Sequence, residues 1–385
     1  MPTRVAEFAP RRDHISTLDG LRAVAVLMVL WAHVPRSLQP FPLAKLDYIL
    51  QPGYFGVDLF FVLSGFLITR ILLVDRAAGR PLTQFLVKRC LRIFPIYFLV
   101  VGVMAVVAYG PYIKWCALYL SNYYFALTVP LPATPLNHTW SLAVEEHYYL
   151  IWPALVFLCP PRVVRALATW VIPLLAVGAA LLTVFWFMKP DRALELVYRG
   201  TQYRMFSLAI GGAVACYEPL FRGHTARTFA LSAGLAVVGM AVYVGVGLSA
   251  QLRDLHIVTK QVAFGLLSVG VLLGALALAE TRLRLVLSNP VMAYIGRISY
   301  GLYLYHYIVY FYLGVLPLND GSAPPGVTLS RVALAIGATF ALATVSFYVI
   351  ERPILRYKDR LYKAPAPRPA PAATVAPAPV TARAD

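Results

Sequence analysis

Residues 17–34 read TLDGLRAVAVLMVLWAHV, an apolar run long enough to span a membrane that still carries Arg22 and His33. Ionisable side chains inside such a run are costly and tend to mark function. Eleven positions separate the two. On an α-helix that is three turns, so they share roughly one face with a rise of about 16 Å between them. An arginine near one membrane surface and a histidine further along predict an anion held at the mouth and proton chemistry at depth.

The rest of the chain has the same character. Of 385 residues, 60% are hydrophobic and 13% charged, with a mean hydropathy of +0.69. A soluble protein of this size has too little polar surface to cover so much apolar area, so the expected class is an all-α polytopic membrane protein. The apolar runs are continuous, without the period-two alternation of a membrane β-barrel. Ten spans are predicted, near 17–36, 53–74, 92–110, 138–158, 165–187, 203–220, 228–249, 257–279, 296–316 and 328–350. A net charge of +17 would suggest nucleic acid in a soluble domain. Here the positive-inside rule accounts for it and no nucleic-acid partner is expected. With both termini in the cytoplasm, 23 of the 34 Lys and Arg residues fall on the inner side. The stretch from Lys189 to Arg204 is an exception, with four basic residues outside.

The predicted organisation is a cytoplasmic tail over 1–14, one integral domain over 15–360, and a Pro/Ala-rich disordered cytoplasmic tail over 361–385. The N-terminus lacks a cleavage pattern, so the first span is expected to stay as an anchor. Cys90, Cys116, Cys159 and Cys216 show no metal or redox spacing and read as packed thiols. The aromatic, proline-broken segment 111–137 is too interrupted to span. It reads as a re-entrant lid or as a plain interfacial belt.

Polar residues cluster in four further places. In GYFGVDLFFVLSGF, Asp58 either caps the second span or serves function, Ser64 bonds back to its own helix or serves function, and Gly56 and Gly65 allow close helix approach. In VKRCLRIFPIY, Arg89 and Arg92 share a helix face beside Lys88. That patch either anchors to anionic lipid or captures phosphate. In NHTWSLAVEEHYYLIWP, His138, Ser141, Glu145, Glu146 and His147 enter the fourth span together. One carboxylate is expected to orient a histidine base and the other to tie helices together, while His147 reads as a satisfied interfacial group. Near the end, His306 either lines a substrate cavity or packs with a hydrogen bond, and Glu351 pairs with Arg352 or caps its helix.

These motifs in this order resemble the acyltransferase 3 family of integral membrane acyltransferases. Arg22 and His33 match its R-x10-H motif, and GYFGVDLFFVLSGF, VKRCLRIFPIY, HTWSLAVEEHYYL, ISYGLYLYHYIV and ERPIL match its later signatures. The resemblance covers residues 15–355. It implies transfer of an acyl group, often acetyl from acetyl-CoA, to a hydroxyl of a saccharide or other small acceptor, in the bacterial cytoplasmic membrane and without a metal. It also implies a stand-alone member, lacking the esterase-like domain some members carry. Arg22, Arg89 and Arg92 are then expected to hold the coenzyme A phosphates. His33 acts as general base or transient acyl-imidazole nucleophile, with Glu145, or Glu146 after it, as orienting carboxylate. Asp58, Ser64, His138, Ser141 and His306 support the substrates. The competing class is a proton-coupled transporter or flippase of a polar lipid or glycan. The absence of an internal repeat and of matching broken helices speaks against it.

Overall fold

The computed structural model describes residues 14–39, 52–128, 133–187, 190–221, 223–247, 255–318 and 321–361. The two predicted tails, apart from the residues at their inner edges, lie outside the described residues. Among the described residues the secondary structure is helical, with no strand.

The principal helices in chain order are α1 (Ser16–Ala32), α2 (Pro52–Ala77), α3 (Leu82–Val107), the short α4 (Tyr112–Ala117) and α5 (Ser121–Leu127), and α6 (Thr139–Leu158). Next comes α7, which starts at Pro161–Ala166 and continues through a π-helical turn, Leu167–Val171, into Ile172–Leu182. Then follow α8 (Pro190–Arg199), α9 (Thr201–Cys216), α10 (Thr225–Gly247), α11 (His256–Leu278), α12 (Pro290–Arg297), α13 (Ser299–Tyr312) and α14 (Leu329–Ser346). The last of these runs on through the π-helical turn Phe347–Glu351.

Among the described residues, six helices are long and apolar enough to cross a membrane: Gly53–Ala77, Leu82–Val107, Pro161–Trp186, Thr225–Val246, His256–Leu278 and Leu329–Tyr357. The other four predicted spans are also helical, as α1, α6, α9 and α13, with 17, 20, 16 and 14 residues. They are the ones that carry Arg22, the Glu145–Glu146 pair, Arg204 and His306. Three of the four are shorter than 18 residues, and α6 carries two adjacent glutamates. One boundary differs from expectation. The third helix begins at Leu82 rather than near residue 92, so Arg89 and Arg92 lie two to three turns inside it.

Large apolar side chains face outward on the perimeter, among them Leu174, Trp186, Val237 and Val349, each at least 67% exposed. That is the pattern of a bundle whose outer solvent is lipid. The interior is built on α2, which packs against α1, α6, α9 and α11. Small residues set the separation. A β-carbon on Gly65 would lie 1.9 Å from the Leu208 carbonyl oxygen, and one on Gly211 would lie 2.1 Å from that of Val62. At Gly56 the Ala25 carbonyl oxygen would stand 2.9 Å away. The backbones therefore touch where a side chain has no room. Gly65→Ala is expected to force α2 and α9 apart at a cost of about 1–3 kcal/mol, read as a lower melting temperature in detergent. An unchanged melting temperature would mean that this contact has slack.

The segment after α3 packs into the bundle, as a lid does and a plain belt does not. Cys116, Ser121, Asn122 and Phe125 are fully buried. Tyr97 Oη donates to the Cys116 carbonyl at 2.8 Å, and the Tyr97 and Tyr119 rings stack 4.3 Å apart. Tyr119 holds this turn with φ at +55°, in the left-handed region. Residues 129–132 of the segment lie outside the described residues. The four cysteines are free thiols, with Cys116 and Cys216 buried.

Candidate active site

A cavity of about 460 Å³ opens between α1, α2, α3, α6 and α13, within the size range of small-molecule sites. Along α2 its lining runs from Ile71 to Val57, about 21 Å at helical rise. It is a long slot, not a bowl.

One end is cationic. Arg22 from α1 and Arg89 and Arg92 from α3 all line it, with Asp19, Glu145 and Glu146 facing them. All three residues are half-buried and line the cavity. The Arg89 guanidinium lies 4.0 Å from the centre of the Tyr149 ring, and its Nε has no partner among the described residues. Tyr149 Oη in turn donates to Glu145 Oε2 at 2.9 Å and shares a hydrogen bond with Ser64 Oγ. Glu145, Tyr149 and Arg89 thus form a braced wall, and the pair Arg70–Glu218 (2.8 Å) stands beyond it. Ser64 does not bond back to its own helix. Its hydroxyl faces the slot.

The far end of the slot is closed by Ser141 and Tyr303, whose hydroxyls are hydrogen-bonded to each other. Behind them sits a cluster of three imidazoles. The His33 and His306 ring centres are 5.1 Å apart, those of His138 and His306 5.4 Å, and Tyr307 packs on His33 at 5.2 Å and on His138 at 5.4 Å. The Tyr303 ring touches both His138 (5.8 Å) and His306 (5.5 Å). That one residue joins the slot to the cluster. His33 itself is not among the slot's lining residues.

The backbone fixes the tautomer of each ring, because a carbonyl accepts and the nitrogen facing it must donate. His33 Nδ1–H donates to the Val29 carbonyl at 2.9 Å, leaving Nε2 with its lone pair when the ring is neutral. His306 Nδ1–H donates to Tyr303 O at 2.6 Å and His138 Nε2–H to Leu304 O at 2.9 Å. Their other nitrogens, His306 Nε2 and His138 Nδ1, are buried with no partner among the described residues.

Three expectations need correction. Glu145 is not the group that orients His33; the Val29 carbonyl is. The reason lies in helix termination. His33 is the C-cap of α1, and the last turn of a helix leaves carbonyls without amide partners. Asp58 does not cap a helix end. It lies inside α2, 2% exposed, where it accepts from Ser207 Oγ at 2.7 Å and from Arg204 Nη1 at 3.2 Å. Glu351 is not at a surface. It is 8% exposed, near Gly301. His147, by contrast, is a satisfied group as expected, bonded to Thr201 Oγ1 at 2.6 Å. Tyr149, Tyr303, Tyr307 and Arg204 escaped sequence reading. In a chain with 24 tyrosines nothing local distinguishes the three that line or join the site.

The fold and this constellation define an integral membrane protein with a cationic slot leading toward buried imidazoles. The acyltransferase 3 family model, described as an acyltransferase domain, matches residues 15–350. The chain belongs to that family and is a multi-pass membrane protein. It is 32% identical over 391 residues to the peptidoglycan O-acetyltransferase OatA of Listeria monocytogenes, covering 91% of this chain and 59% of that one. It is 30% identical over 369 residues to the putative peptidoglycan O-acetyltransferase YrhL of Bacillus subtilis, covering 89% and 55%. A putative O-acetyltransferase of Staphylococcus aureus is 28% identical over 364 residues, covering 88% and 57%. The chain thus spans little more than half the length of these relatives. No solved structure matches it.

Proposed function

We propose that the protein moves an acetyl group from acetyl-CoA to a hydroxyl of a cell-envelope saccharide, in the bacterial cytoplasmic membrane. The observation that carries this reading is the slot itself. Three arginines line it, an imidazole cluster lies beyond Tyr303, and the helical rise from Arg22 to His33 is about 16 Å. Coenzyme A has the matching shape, with anionic phosphates at one end of a long arm and a thioester at the other.

Charge asymmetry supports an orientation with the Arg22 end toward the cytoplasm, where the donor is, and the His33 end outward. Arg22, Arg89 and Arg92 bind the phosphates, and planar guanidinium forks suit phosphate oxygens. The unpartnered Arg89 Nε is a donor such a ligand would satisfy. His33 Nε2 takes the proton of the acceptor hydroxyl as the new C–O bond forms. The C–S bond then breaks, and the proton passes to the departing thiolate. An acyl-imidazole on the same Nε2 uses the same lone pair in two steps. Either route requires Tyr303 and Ser141 to part, because they separate the slot from the histidines. Glu145 and Glu146 hold the arginines and Tyr149 in place. The acceptor is a saccharide by analogy with the relatives' names, and peptidoglycan is the first to test.

The test is transfer of radiolabelled acetyl from acetyl-CoA to glycan by the protein in liposomes. Acceptor-dependent appearance of a base-labile acetyl ester is expected. Glycan that stays unlabelled while the protein binds or moves it would favour the transporter reading.

A further inference from the structure

Two buried acceptors in the imidazole cluster have no part in the acyl-transfer reading. His306 is fully enclosed and His138 is 4% exposed. Each ring commits one nitrogen to a backbone carbonyl, His306 Nδ1 to Tyr303 and His138 Nε2 to Leu304. Those carbonyls fix the ring protons, so the opposite nitrogens, His306 Nε2 and His138 Nδ1, carry lone pairs. Neither finds a donor among the described residues. A buried acceptor without a donor costs stability, and a fold that keeps one has a use for it. Here two of them belong to neighbouring rings, 5.4 Å apart and inclined at 70°.

What can fill them is small. The two rings are too enclosed to take any part of a substrate. What the pair lacks is one hydrogen, because a proton added to either nitrogen makes it a donor for the other, directly or through one enclosed water. The third ring supplies the path. His33 is half-buried, and its ring centre lies 5.1 Å from that of His306. Its Nδ1–H is held by the Val29 carbonyl, so a proton that it accepts arrives on Nε2. The other titratable groups against the pair are Tyr303, Tyr307 and Tyr310 from α13. On the far side of Tyr310, α14 presents the apolar Val332 and Ala335. Among the described residues no carboxylate is hydrogen-bonded to any of the three rings.

We propose that His306 and His138 form a proton store for His33. The proton that His33 Nε2 takes from the acceptor hydroxyl moves to His306 Nε2 and is shared with His138 Nδ1. The O–H bond breaks as the C–O bond forms. The C–S bond then breaks, and the stored proton returns through His33 to the thiolate as an S–H bond, with no further reactant consumed. The store fills both empty acceptors only while the proton is held, so it favours the intermediate over the resting state. Sharing the charge also avoids burying it on one ring. His306 and His138 act through His33 as positioning residues. The inference rests on the acyl-transfer reading for its place in the reaction but not for its proton binding.

The experiment sets kinetics beside nuclear magnetic resonance of the full chain in detergent. His306→Asn keeps an N–H for the Tyr303 carbonyl and loses the second nitrogen. Its kcat should fall about 10- to 100-fold, the worth of one hydrogen bond to a charged group, while the KM for acetyl-CoA and the melting temperature hold. In the His33→Ala background the same substitution should cost nothing further, because no proton then arrives to be stored. In wild type carrying isotopically labelled histidine, the His306 and His138 ring signals should move together through one titration step. Wild-type kcat in His306→Asn, or equal losses in the two backgrounds, overturns the store. Separate titration of the two rings, or none before the protein unfolds, overturns it too, even where His306→Asn fails to fold. Joint titration in a wild type that transfers no acetyl leaves the store standing and overturns the acyl-transfer reading.

Discussion

His33→Ala is expected to lose about 10²–10⁴-fold in turnover, the range that a positioned general base supplies, while the protein still inserts and folds. The geometry makes the variant a clean one. The ring is half-buried at the C-cap of α1 and makes one hydrogen bond, to the Val29 carbonyl. Removing it takes away Nε2 without opening an ion pair. Initial rates of acetyl transfer, set beside melting temperatures of wild type and variant in the same detergent, check the result. Wild-type turnover in the variant would remove His33 from the chemistry. Full inactivity with a collapsed melting temperature would mean instead that the ring holds the cluster with His306 and Tyr307 together.

Arg89→Ala acts on the other end of the slot and on a different constant. A hydrogen bond to a charged group is worth about 1.5–3 kcal/mol, and 1.4 kcal/mol is tenfold in an equilibrium constant. The KM for acetyl-CoA should therefore rise roughly 10- to 100-fold with kcat little changed, since the lost contact is made equally before and during transfer. Arg89→Lys should recover only part, because an ammonium keeps the charge but not the planar fork that lies over Tyr149. Rates measured against acetyl-CoA at saturating acceptor decide the matter. An unchanged KM would return Arg89 to the role of a lipid anchor.

What could be read from the chain alone followed physical rules that act locally. Burial in lipid forces helical runs, so the all-helical class was legible, and six of the predicted spans fall on helices that, among the described residues, are long and apolar enough to cross a membrane; the R-x10-H spacing likewise puts Arg22 and His33 on one turn-related face of α1. The Gly56 and Gly65 contacts were legible because a missing side chain in an apolar helix has few other uses. Partnerships across the bundle were not legible. Asp58 reads as a cap because it lies near the start of its span, yet it sits six residues inside α2, where a partner from another helix meets it. Its partner Arg204 lies 146 residues away. Glu145 was assigned to His33 because carboxylates commonly orient imidazoles. A free carbonyl at the end of α1 does that work, and a backbone acceptor leaves no mark in a sequence. The Ser141–Tyr303 hydrogen bond likewise exists only where distant helices meet.

The central claim, that His33 carries an acyl transfer to a surface glycan, is tested most directly by mass spectrometry of cell-envelope glycans from the native host. Wild type is compared with a His33→Ala strain matched in protein level. The account predicts that one acetyl increment on a glycan disappears in the mutant while the glycan itself remains at the surface. Identical acetylation in wild type, mutant and gene deletion would contradict it.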